Sequence, residues 1–122
     1  MNDRTILLVE DDEIMRALTQ QMLEEHGYRV IQAKDGKSAL ASFQEAEQRI
    51  DLVLTDVVMR GMSGPELARR VTDSRPTAKV VYMSGYTGDL IAEHDQLQPG
   101  VALLEKPFTR TTLLKTVQTA LE

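Results

Sequence analysis

The sequence predicts an α/β domain: a doubly wound sheet of five parallel strands in the order 2-1-3-4-5, with five helices covering both faces. Three observations predict it. Strand-like and helix-like segments alternate along the 122 residues. The strand segments are short and rich in β-branched or apolar residues, and "ILLV" is apolar throughout, as strands buried on both faces are. Acids, a hydroxyl and an ammonium follow the strands, at the carboxyl edge where such sheets place their crevice. Right-handed crossovers leave few other topologies.

The first strand is "TILLV", 5–9, and it runs straight into Glu10, Asp11, Asp12 and Glu13. Four adjacent acids repel one another and need a reason to stand at the mouth of an apolar strand. Ile14, Ala17, Leu18 and Met22 then recur at helical spacing on one face. "RVIQA", 29–33, is the second strand. Asp35-Gly36 starts the second helix, with Ala39, Phe43 and Ala46 on its apolar face. "DLVLT", 51–55, is the third strand, and Ser63 to Glu66 has capping-box spacing with Pro65 near the first helical position. "KVVYM", 79–83, is the fourth. The helix expected over 87–97 is the weakest element, because it carries Gly88 and little apolar periodicity; "QPG", 98–100, ends it. "VALL", 101–104, is the fifth strand, and Leu113, Val117, Ala120 and Leu121 give the last helix its face. No repeat, linker or low-complexity segment interrupts the pattern.

The length suits one domain, 1–122, with enough chain for a real core. Apolar residues at 42% and charged residues at 27% argue against disorder. Nineteen acids against fourteen bases leave a net charge of −5, and no basic run is interleaved with aromatics, so nucleic acid is not an expected partner. The absence of cysteine removes disulfides and thiolate metal sites. No apolar run approaches the ~20 residues of a membrane span, and no signal peptide is visible. His26 and His94 have no ligand spacing and read as surface residues, and the methionines read as core filler.

The residues just after the strands carry the chemistry. Glu10 and Asp11 follow the first strand, Asp56 the third, Ser84 the fourth and Lys106 the fifth. In the expected order these four strands are neighbours, so their ends converge, and the row of acids acquires its reason. Clustered carboxylates raise one another's pKa unless a cation relieves them. A hard, all-oxygen set suits Mg²⁺, which binds one or two carboxylates and keeps several waters. An aspartate beside such a cation, an ammonium and a hydroxyl is a workable site for phosphoryl transfer.

"ILLVEDDE", "DLVLTDVVMRGMSG", "VVYMSGYT" and "EKPFT", in this order and spacing, resemble the receiver domain of two-component signalling over essentially the whole chain. That family shares the 2-1-3-4-5 order of flavodoxin-like folds, so topology and resemblance are one expectation, not two. The resemblance implies that Asp56 accepts a phosphoryl group. It implies Mg²⁺ held by Asp11, Asp56 and the main-chain carbonyl of Val58, with Glu10 acting through water. Ser84 and the Gly85 amide would contact the phosphoryl oxygens, and Lys106 would pair with them. Which two of the four acids form the family's acidic pair is a matter of register. Ile14-Met15-Arg16 matches the start of the family's first helix when the pair is Glu10-Asp11, leaving Asp12 and Glu13 where the helix dipole favours negative charge. The Lys106-Pro107 bond is expected to be cis, as is usual in the family.

Two residues depart from the family's pattern. Arg60 stands where proline is common, so the loop carrying the Val58 carbonyl is expected to be less rigid. Leu103 stands where a tyrosine or phenylalanine usually reports phosphorylation, so weak coupling to the surface of the fourth and fifth strands is expected. The resemblance also places Val58 and Tyr86 beside the approach of a hydrolytic water. Neither favours attack, which implies slow self-dephosphorylation.

The expected function is a phosphoacceptor in a two-component phosphorelay. Its partner would be a histidine kinase's dimerisation and phosphoacceptor domain or a histidine phosphotransfer protein, with room for a weak homodimer. "MSGYT", "QPG" and "EKPFT" look most like receivers at the C-terminus of hybrid sensor histidine kinases; a stand-alone receiver is the alternative. Either would be cytoplasmic, the first tethered to the inner membrane through its parent kinase. The domain itself would catalyse only its own phosphorylation and dephosphorylation. An Mg²⁺-dependent phosphatase with an aspartyl-phosphate intermediate is opposed by Val58, which occupies the place of a second acid. A receiver that no longer takes phosphate is opposed by the intact acids and lysine, and a dinucleotide-binding domain by the missing glycine-rich first turn.

Overall fold

β1 (Thr5–Val9) is buried at every position, with a strand on each edge and helices over both faces. The computed structural model describes residues 3–46, 49–85 and 102–122, apart from the Ala46 side chain. Within it β2 (Arg29–Ala33), β3 (Ile50–Asp56), β4 (Lys79–Ser84) and β5 (Ala102–Glu105) join β1 in one parallel sheet, ordered β2-β1-β3-β4-β5. The order is the predicted one. β3 and β4 run slightly further than their sequence suggested, so Asp56 and Ser84 are the last residues of their strands.

Alternate residues of the strands feed two cores. Ile6, Leu8, Leu52, Leu54, Val81 and Met83 pack on one face with Leu23 of α1 (Glu13–Glu25) and with Leu113 and Val117 of α4 (Arg110–Leu121). Leu7, Val9, Ile50 and Val53 pack on the other with Ala39 and Phe43 of α2 (Gly36–Ala46) and with Leu67 and Val71 of α3 (Gly64–Ser74). Between Thr5 and Ile6 the partner on β3 steps from Ile50 to Leu52. The skipped Asp51 accepts the Thr5 N–H at 2.8 Å, so its carboxylate compensates for the irregular ladder.

The helices are capped by the residues that precede them. Asp12 accepts the Met15 N–H, Asp35 accepts the Ser38 N–H and hydroxyl, Ser63 accepts the Glu66 N–H, and Thr109 accepts the Thr112 N–H. Of the capping box at Ser63 the forward half is present, while the Glu66 carboxylate is taken up by Arg69 and Arg70. α1 ends in a Schellman motif: the Gly27 N–H donates to the Glu24 carbonyl and the Tyr28 N–H to the Leu23 carbonyl. Gly27 has φ 97°, a left-handed conformation in which any side chain would be strained.

One face was misassigned from the sequence. Of Ile14, Ala17, Leu18 and Met22, only Met22 packs on the core; Ala17 is exposed, and Ile14 and Leu18 are 73% and 49% exposed. The face α1 buries is Thr19 and Leu23, with Met22 beside them. The helix carries two stripes at i, i+4 spacing, and the threonine in the buried one hid it. The helix expected over 87–97, with Tyr86, His94 and "QPG", lies outside the described residues. No helix among the described residues is long and apolar enough to cross a membrane.

Candidate functional site

The carboxyl ends of β1, β3, β4 and β5 enclose a cleft of about 420 Å³, lined by Glu10, Asp11, Asp56, Val58, Ser84, Gly85 and Lys106. Every site residue expected from the sequence therefore borders one space. A larger hollow of about 550 Å³ lies between α3 and β4, but two of its charged groups, Glu66 and Arg69, are spent on each other.

Asp56 ends β3 and is 4% exposed. Glu10 is buried beside it, while Asp11 is half-buried. The Lys106 ammonium reaches in from β5, 2.5 Å from Glu10 Oε2 and 2.6 Å from Asp56 Oδ1. Strand pairing fixes these ends relative to one another. The Val57 N–H donates to the Met83 carbonyl at 2.9 Å, and the Lys106 N–H donates to the Ser84 carbonyl at 2.7 Å. The Lys106-Pro107 bond is cis.

The loop after Asp56 folds back tightly. The Gly64 N–H donates to the Val57 carbonyl at 2.9 Å. A Cβ on Gly64 would lie 2.1 Å from the Asp56 carbonyl oxygen, so no other residue fits without moving the strand end. Val58, on the same loop, is 51% exposed at the rim of the cleft.

One ammonium cannot neutralise two carboxylates. Burial first, then the neighbouring Glu10 carboxyl, push Asp56 from 3.8 up to about 8, against the opposing pull of Lys106. Desolvation alone would lower Lys106, but its contacts with Asp56 and Glu10 hold it above its ordinary value. Asp56 Oδ1 is buried without a partner in hydrogen-bond geometry, despite the close ammonium. Carboxylate oxygens of Glu10, Asp11 and Asp56 all lie within 4.8 Å of one another. This oxygen-only set, short of positive charge, fits a hard divalent cation of the Mg²⁺ type.

The profile of the response regulator receiver domain matches residues 6–118. The chain belongs to that family. This receiver is 36% identical over 118 residues to the sensor kinase CckA of Brucella abortus, covering 97% of the chain and 12% of that kinase. It is 35% identical over 115 residues to the response regulator receiver protein CpdR of the same organism, covering 94% of each. Among solved structures, the receiver domain of the hybrid histidine kinase CckA superposes with TM-score 0.81 at 33% identity, covering 97% of this receiver and 99% of that chain. The chemotaxis protein CheY4 of Vibrio cholerae gives 0.82 at 29%, with 98% and 99% covered. The receiver thus spans a small part of one relative and nearly all of another.

Two features of the receiver's site escaped the sequence. Asp12 donates its N–H to Glu10 Oε1 at 3.0 Å while capping α1, so the third acid braces the first. Arg16 donates from Nη1 to the Glu10 carbonyl at 2.8 Å. A cap two residues past a strand was a readable signal for the first. Nothing in spacing announced the second, which depends on where α1 docks.

Proposed function

We propose that this receiver takes a phosphoryl group from a phosphohistidine onto Asp56, with Mg²⁺, as one step of a two-component phosphorelay. The observation that carries the reading is a buried aspartate at the cleft floor, with an ammonium 2.6 Å away and two further acids around it. Asp11, Asp56 and the Val58 carbonyl would hold Mg²⁺, with Glu10 acting through water. When bound, the ion supplies positive charge for the carboxylates and the phosphoryl oxygens.

The remaining work belongs to the chain. An ionised Asp56 oxygen forms the bond to phosphorus as the phosphorus–nitrogen bond breaks, and that electron pair returns to the donor's imidazole. Lys106 moves from the bare carboxylate to the phosphoryl oxygens, and the Ser84 hydroxyl and Gly85 N–H donate to them. The exposed apolar stripe of Ile14, Ala17 and Leu18, next to Met15 at the cleft, supports a macromolecular donor: a histidine kinase's phosphoacceptor domain or a histidine phosphotransfer protein.

The match to CckA supports a receiver carried by a hybrid sensor histidine kinase, the context we favour, cytoplasmic and tethered through its kinase. The match to CpdR supports a stand-alone receiver instead. A phosphatase reading is opposed by Val58, which offers no acid where turnover would use one. Intact mass after incubation with a small phosphodonor and Mg²⁺ tests the assignment. One added phosphate is expected, and none in Asp56→Asn; an equal yield in the mutant overturns it.

A further inference from the structure

The Glu10 carbonyl marks the point where β1 runs out. The Glu10 N–H still donates to the Ala33 carbonyl of β2 at 3.1 Å, the last such bond before the chain turns into α1. Arg16, in the first turn of α1, reaches back across that turn. Its Nη1 donates to the Glu10 carbonyl at 2.8 Å and its Nε to Gln32 Oε1 of β2 at 3.3 Å. The guanidinium thereby spans α1, the end of β1 and β2, a geometry suited to a planar fork.

We propose that Arg16 is a positioning residue for the cation site. It holds the peptide joining Glu10 to Asp11 and so sets the direction in which Asp11 presents its carboxylate. Asp11 needs this help. Glu10 is fixed by Lys106 and by the Asp12 N–H, and Asp56 by its strand and Lys106. Asp11, among the described residues, has no side-chain partner, so its aim comes from the backbone. Outer groups that orient metal ligands are worth roughly 10–100-fold in metal affinity when removed.

Two other roles for Arg16 predict different results. As a plain tether of α1 it would affect stability and leave the ion affinity of the folded protein alone. As a nearby positive charge it would repel the ion, so removing it would tighten binding. Positioning alone makes the neutral variant bind more weakly.

The role rests on the Mg²⁺ reading of the site, and the wild type separates the two. Mg²⁺ titration of the full chain, followed by amide chemical shifts near Asp56, is compared with urea unfolding in chelator. Arg16→Gln is expected to weaken Mg²⁺ about tenfold, and Arg16→Lys, which keeps a donor for the Glu10 carbonyl, to recover most of that loss. Unchanged or tighter binding in folded Arg16→Gln overturns the role while leaving the site intact; a wild type that binds no Mg²⁺ overturns both. Should Arg16→Gln not fold, Gln32→Leu frees the other end of the guanidinium and is expected to weaken Mg²⁺ in the same direction by less than about tenfold. No change there also overturns the role.

Discussion

A carboxylate that attacks phosphorus must be ionised, and Asp56 is buried where ionisation is costly. Its pKa is pushed from 3.8 up to about 8, so without a cation the carboxyl is mostly protonated near neutral pH. The folded state therefore holds a proton that the unfolded chain releases. That contribution to stability is complete below about pH 4 and is lost as pH rises through about 8. Asp35 and Glu66 are shifted downward, so their contributions are lost only in acid and stay constant in this window. In chelator, the urea midpoint is expected to fall from pH 5 to 8.5, and Asp56→Asn should remove most of the slope. A midpoint that rises with pH in the wild type would refute the account. At this scale the sequence showed the acids, Ser84 and Lys106, because each ends a strand or lies within two residues of a strand end. It could not show that Glu10 and Asp56 share one ammonium, since Lys106 lies ninety-six positions from Glu10.

Among the elements, strands were easier to read than helix faces. A strand between two neighbours is apolar at nearly every position, and "ILLV", short and closed by acids, fits that pattern. α1 has two candidate stripes, and choosing between Ile14–Leu18 and Thr19–Leu23 needs the docking of the helix on the sheet. The caps at Asp35 and Ser63 were legible because their chemistry is local. The role of Gly64 was not, since only the folded loop brings its Cα against the Asp56 carbonyl. Gly64→Ala is expected to cost roughly 2–4 kcal/mol, as steric conflict with rigid backbone does, and to displace Asp56. Urea unfolding and the rate of phosphorylation by a small donor should fall together. A mutant with wild-type stability would show that the loop yields at little cost.

For the whole molecule the question is what becomes of the phosphoryl group. Leu103 pairs in register with Tyr82 and packs against the cluster of Val57, Ala68 and Tyr82, so the strand next to Lys106 offers an aliphatic side chain where the resemblance leads one to expect an aromatic. Should that surface couple weakly to the site, the relay role proposed above requires an acyl phosphate that outlives the wait for a histidine. Hydrolysis needs a water in line with the phosphorus–oxygen bond to Asp56 and a group to orient it. Val58 stands at the rim of the cleft, more than half exposed, and offers such a water neither donor nor acceptor from its side chain. General-base assistance is typically worth ~10²–10⁴ in rate, so a valine there should leave the phosphorylated protein long-lived. Val58→Asn adds an amide able to orient the water, close to Asp56 but outside its contacts with Lys106. Loss of phosphate is expected to quicken roughly tenfold in that variant. Following intact mass over time in both proteins decides it: a wild-type lifetime of seconds, or equal decay in the two, would show that position 58 does not govern the lifetime.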